Sequence, residues 1–130
     1  AKDQVKGHVI IKARKPGGEW QVILDKKNAL TANAPTLISK ALAGESGWKI
    51  DRIQCLKASA QLAIESTSKT YPSAGKVQFE STFGLLSFND TLDELRLTSL
   101  DGGDFSTLTG LAISKSDELE LNIQWLLSII

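Results

Sequence analysis

Apolar and polar residues alternate with a period of two through much of this chain, and clusters of Gly, Pro, Asn, Asp and Ser interrupt the alternation at short intervals. From Val5 to Arg14, the residues Val5, Gly7, Val9, Ile11 and Ala13 share one face while His8, Ile10 and Lys12 point the other way. A period of two describes a half-buried strand. Lys15-Pro16-Gly17-Gly18-Glu19 follows; Pro fixes φ and Gly permits φ > 0, so this predicts a tight hairpin turn. The returning strand, Glu19 to Asp25, places Trp20, Val22 and Leu24 on one face.

The period then changes. Asn33 is a good N-cap and Pro35 fits a first helical turn. Leu37, Ile38, Ala41 and Leu42 fall on one face of a short helix, and Gly44 stands where a C-terminal glycine belongs. Strand alternation resumes at Trp48. Trp48, Ile50, Arg52 and Gln54 lie on one side and Ile53 and Cys55 on the other, a face switch that predicts a bulge. Residues 58–75 are rich in Ser, Thr, Ala and Gly and read as a long loop carrying a short strand at Gln61 to Glu65. Val77, Phe79 and Ser81 alternate in the next strand. Leu92, Glu94, Arg96 and Thr98 then oppose Leu95, Leu97 and Leu100, and Asp101-Gly102-Gly103-Asp104 turns the chain. The two stretches that follow, 105–114 and 117–129, predict a closing hairpin about Lys115-Ser116-Asp117. Seven to eight strands with one short helix, and no regular β-α alternation, give a mainly β chain. It is expected to form a single domain over residues 1–130, an antiparallel β-sandwich or jelly-roll-like fold.

The end of the chain is its most apolar strand. Leu119, Leu121, Ile123, Trp125, Leu127 and Ile129 form one face and should enter the core. Glu118, Glu120, Asn122 and Gln124 form a wet face that turns apolar at Leu126 and Ile130. Those two residues are therefore the candidate interface, covered either by the helix, through Leu37, Ile38 and Leu42, or by a neighbouring subunit.

With 130 residues the chain is long enough to bury a real core without staples. Fifteen basic and fifteen acidic residues cancel. This argues against nucleic acid as the main partner, because phosphate binding needs a basic excess. No apolar run approaches the roughly 18 residues of a membrane helix, so no membrane partner is expected. The single cysteine, Cys55, can form no intrachain disulfide and reads as a buried, inert thiol. His8 is the one histidine and reads as an ordinary surface or interface residue. No nucleophile motif accompanies either residue. Asp101 and Asp104 offer too few ligands for a calcium loop, and Gly75-Lys76 fails the Walker spacing. The carboxylates Asp93, Glu94, Asp117, Glu118 and Glu120 select no catalytic pair. No catalytic residue, metal site or cofactor is expected, and the chain is read as non-enzymatic.

The order of features resembles small bacteriophage virion proteins of the capsid decoration, cement and tail-associated kind. The likeness rests on the N-terminal strand pair VKGHVIIKARKPGGEWQVILD, the Asn-containing lead into a short helix KKNALTANAPTLISKALAG, the strand WKIDRIQCLKA, and the closing stretch LTGLAISKSDELELNIQWLLSI with its L-x-I-x-W core. It covers both ends of the chain and leaves residues 58–92 unmatched. Only Gly110-Leu111 remains of the Glu-x-Gly-Leu-Phe-like element that many such sequences carry. The resemblance implies a virion structural protein, made in the host cytoplasm and most at home on the capsid surface. Its partners would be itself, as a dimer or trimer, and the major capsid protein. The alternative it implies is a tail or baseplate module with a carbohydrate- or receptor-binding role, for which Trp20, Trp48 and Tyr71 are the aromatic contact candidates.

Overall fold

The computed structural model describes residues 5–28, 34–44, 50–99 and 103–129. In chain order the elements are β1 (Val5–Arg14), β2 (Gln21–Asn28), α1 (Ala34–Leu42), β3 (Ile50–Lys57), β4 (Ala60–Ser66), β5 (Ser68–Thr70), β6 (Lys76–Phe83), β7 (Asp90–Leu92), β8 (Glu94–Ser99), β9 (Gly103–Leu108), β10 (Ile113–Lys115) and β11 (Glu120–Ile129). Every ladder is antiparallel. One sheet runs β2-β1-β11-β6-β5, a second β4-β3-β8-β9, and β10 pairs with β7 in a small ribbon. The two larger sheets form a β-sandwich whose core mixes Val9, Ile11, Phe79, Ile123 and Trp125 of the first with Ile53, Leu95, Leu97 and Phe105 of the second.

Sequence periodicity explains these strands directly. Gly7, Val9, Ile11 and Ala13 are all buried, as the alternation of β1 predicts. In β11, Leu121, Ile123 and Trp125 are fully buried and Leu127 nearly so, while Leu119 packs against the rim of the core. The helix ends in a glycine with φ +78°, Gly44, whose N–H donates to the Ala41 carbonyl at 3.1 Å. That is the left-handed cap its position suggested. The face switch read in β3 is present as register shifts in both of its ladders.

The two sheets are tied at both sides. On one side β4 and β5 are separated by Thr67 alone, so the chain bends from one sheet into the other. Thr67 donates its N–H to the Asp51 carbonyl at 2.8 Å, and Ser81 Oγ donates to the Ser66 carbonyl at 3.0 Å. On the other side Asn28, at the end of β2, reaches across to β9. Its Nδ2 donates to Ser106 Oγ at 2.6 Å and to the Thr107 carbonyl at 3.2 Å. Gly7 sits beneath this amide; a Cβ there would collide with the Asn28 side chain.

Several expectations are corrected. The short strand read at Gln61 to Glu65 is present as β4, but the stretch after it is not loop throughout: Ser68–Thr70 forms β5. The closing hairpin does not exist, because β10 pairs with β7 and β11 lies between β1 and β6. A short turn permits hairpin pairing but does not compel it. Here the apolar face of β11 is buried more fully in the middle of the large sheet. Val22 does not share the inward face of Leu24. A register shift between Ile11 and Lys12 inserts Ile23 as a bulge, which turns Val22 outward. The helix packs against β9 and leaves Leu42 84% exposed, so Leu42 covers nothing on β11. Asn122 is buried rather than wet, its Nδ2 donating to Glu80 and Thr82. Asn33, Trp48, Leu100 and Ile130, and the side chains of Leu37 and Ile129, lie outside the described residues.

Trp125 is the largest fully buried side chain, and its register places it between Val9 and Phe79. Among the described residues its indole Nε1 has no hydrogen-bond partner, a burial that costs about 1–3 kcal/mol. Trp125→Ala should therefore destabilise by about 3–5 kcal/mol, while Trp125→Phe, which removes the orphan donor along with part of the ring, should cost less than half of that. Urea denaturation of the two variants checks the ranking.

Candidate functional site

A concavity lies at the end of the sandwich that carries the β1–β2 turn. It is a shallow groove of about 600 Å³ between Arg14, Gln21 and Ile23 on one wall and Ala112, Ile113 and Ser114 on the other. A second depression of about 360 Å³ shares Lys15, Ser114 and Leu119 with it and continues to Asp90 and Thr91. The turn forms because Gly17 takes φ +74° and Gly18 N–H returns to the Lys15 carbonyl at 2.8 Å. The opposite wall is the β7–β10 ribbon, where Thr91 and Ser114 hydroxyls meet at 2.9 Å.

Several charged groups at or near these hollows are engaged. Arg14 Nε donates to Glu120 at 3.1 Å and its guanidinium lies 4.3 Å from the centre of the Trp20 ring. Lys57 Nζ donates to Asp90 at 2.8 Å, and the Thr91 N–H donates to the same carboxylate. That hydrogen bond raises the pKa of Lys57. The Lys57 bond, with the Thr91 amide, lowers that of Asp90. Asp93 accepts the N–H of Ala58 at 3.0 Å and steadies the β3–β4 turn, where Ala58 and Ser59 both adopt positive φ. Glu94 binds Arg96 at 2.6 Å.

Lys115 is the site residue that periodicity understated. It shares a face with Ile113, a period-two hint of burial, and it is only 2% exposed. Its Nζ donates to three carbonyls: Leu85 at 2.8 Å, Phe88 at 3.0 Å and Ser116 at 3.2 Å. An ammonium has three N–H groups, so its donor capacity is filled. Burial pushes its pKa down, opposed by Asp117. Lys115 thus holds the 84–88 loop onto the core and has no proton donor left to offer a substrate.

The residues singled out by sequence do not converge. His8 lies on the outer face of the large sheet and is paired with Asp25. Cys55 is fully buried in the second sheet, and desolvation raises its pKa far above 9.0. Trp20 precedes β2 and Tyr71 follows β5, at opposite edges of the five-stranded sheet. At about 4.8 Å per strand they stand roughly 19 Å apart across it, and the registers put them at opposite ends along the strands as well. Tyr71 is 75% exposed, whereas the Trp20 ring is stacked by Arg14. Trp48 is outside the described residues. Leu126 is half-buried on the outer face, between His8 and Gln78 in the ladders, and is not part of the core. Among the described residues no group of three or more His, Cys, Asp or Glu could hold a metal ion.

Two outcomes follow from these burials. Lys115→Met should destabilise by about 2–4 kcal/mol, because it orphans buried carbonyls while relieving the ammonium of its desolvation. Thermal unfolding reads the loss, and hydrogen exchange should rise first in residues 84–88. The Cys55 thiol should resist a disulfide-exchange reagent at pH 8 until the chain unfolds. A raised folded pKa favours the protonated fold, so its contribution is full below about pH 9 and falls as pH climbs above it. Cys55→Val should remove that alkaline component from a stability–pH profile. Searches against protein-family models, curated proteins and solved structures find no match to this chain.

Proposed function

We propose that this chain is a non-enzymatic structural subunit of a virion, a capsid decoration or cement protein. The observation that carries the non-catalytic half is the employment of its reactive groups. Lys115 fills its donors with backbone carbonyls, Cys55 is sealed in the core, and His8 is tied to Asp25 on a sheet surface. Each supports the fold, and none shares a hollow with the others. The virion half rests on the resemblance of the two chain ends to phage decoration and tail-associated proteins. The tail-receptor alternative asks for an aromatic platform, and the opposed corners held by Trp20 and Tyr71 favour the decoration reading over it.

Contact with the shell is assigned to the outer face of the large sheet. That face carries Ile10 and Leu126, both half-buried, beside ion-paired and amide-bearing neighbours. Leu126 with Ile130 remains the proposed apolar contact, at about 1.5–3 kcal/mol for each fully buried side chain. Gradient-purified phage particles from cells making this chain should contain it by mass spectrometry, and antibody should label heads. Label confined to tail tips would favour the receptor-binding module, and absence from particles would remove the virion reading. The double change Leu126→Ser, Ile130→Ser should lower particle occupancy at least tenfold without altering the circular dichroism spectrum, since each 1.4 kcal/mol is a tenfold change.

A further inference from the structure

We propose that two copies of this chain pair antiparallel along the open edge of β2, with a two-fold axis through the Val22–Ile23 segment and Glu19 of each copy against the Lys26–Lys27 pair of the other. The proposal does not rest on the virion reading; a free cellular protein with this edge would pair in the same way.

An unpaired strand edge is a template for another strand, and natural edges are protected by being short, charged, bulged or covered. The opposite edge of the same sheet, β5, is only three residues long and polar throughout. β2 has eight residues. Its far end is covered, because Asn28 is held by β9. Its middle is not. Val22 is 58% and Ile23 46% exposed, the one adjacent pair among the exposed large apolar side chains of the described residues. The bulge that defends many edges here has the reverse effect, since it is what turns Val22 out of the core pattern. Beside this stretch the surface is open, with Glu19, Gln21 and Ile23 along one side of the groove.

Charge chooses the occupant and its direction. β2 and its approach carry Glu19 at the start, only uncharged residues from Trp20 to Leu24, then Asp25, whose carboxylate is paired with His8, and Lys26 and Lys27. Glu19, Lys26 and Lys27 are all exposed. A second copy laid parallel would set Lys26–Lys27 beside its own duplicate, and like charges directly opposite are destabilising. Laid antiparallel about Val22–Ile23, the same strand places each Glu19 near the partner's lysines, and the apolar centre meets its own equivalent. A two-fold contact must be self-complementary, and this edge is. The product is a continuous ten-stranded sheet. An edge contact of this length falls at the small end of specific interfaces, below about 1,200 Å², so the dimer should be reversible.

Sedimentation velocity on the full chain tests this. The wild type should move from its 14.1 kDa monomer toward twice that mass by a concentration of about 100 μM, the range of a small, transient interface. Ile23→Lys should remain monomeric there. Glu19→Lys should weaken association at least fivefold, as should the double change Lys26→Glu, Lys27→Glu, and all three together should restore it. Circular dichroism should be unchanged for the Glu19 and lysine variants, whose side chains are exposed, so these arms decide the matter even where Ile23→Lys disturbs the fold. A wild type monomeric at 100 μM, a folded Ile23→Lys that still dimerises, or a triple charge swap that fails to recover association would each overturn the proposal. None of these results alters whether the chain is found on particles, so the two readings fail separately.

Discussion

The ladder between the first strand and the last is the constraint on which the rest of this structure depends. β1 and β11 run antiparallel from Val5↔Ile129 to Arg14↔Glu120, and the other side of β11 is taken by β6. β11 is therefore a central strand, and its inward residues Leu121, Ile123, Trp125 and Leu127 form the floor on which the second sheet packs. The apolar strand β11 lies in the interior of the large sheet. Pairing the two termini also gives the chain many contacts of long sequence separation, and such topologies fold slowly because loop closure precedes the reward. The large sheet cannot close until its last strand is present.

Around that core the polar groups are committed to closing the sandwich. Asn28 bridges to β9 on one side, and the Thr67 corner carries the chain between sheets on the other. Lys115 gathers the carbonyls of the 84–88 loop and of its own turn. Buried polar groups are tolerated when their hydrogen bonds are complete, and these carry the fold rather than chemistry. Exposed apolar side chains remain at Val22 and Ile23 on one sheet edge and at Leu42, Tyr71 and Leu86 elsewhere, and Leu126 is half-buried on the outer face of the large sheet. Under the functional proposal this exposed apolar surface, beside reactive groups that already have partners or are sealed in the core, is surface for assembly.

Much of this was legible from residues alone. Period-two alternation over Val5 to Arg14, Gly75 to Thr82 and Leu119 to Leu127 places the right side chains in the core, because a strand's faces are a local property. The Pro-Gly-Gly turn and the Gly44 cap are equally local, set by φ preferences. The burial of Cys55 and Trp125 follows from the same alternation. These features, a mainly β sandwich with one short helix among them, were determined by the sequence in its own neighbourhood. Strand partnership was not. Nothing in residues 113–129 tells β11 to leave β10 for β1 and β6; that choice compares the burial of whole faces across more than a hundred residues. The bulge at Ile23 is likewise a register adjustment between two strands, and it separates Val22 from the face it was expected to share with Leu24. Lys115 looks like a turn residue until the three carbonyls that enclose it are brought there by other elements. Local periodicity says which face of a strand is apolar, and only the tertiary structure decides what covers that face, because pairing energy belongs to two segments at once.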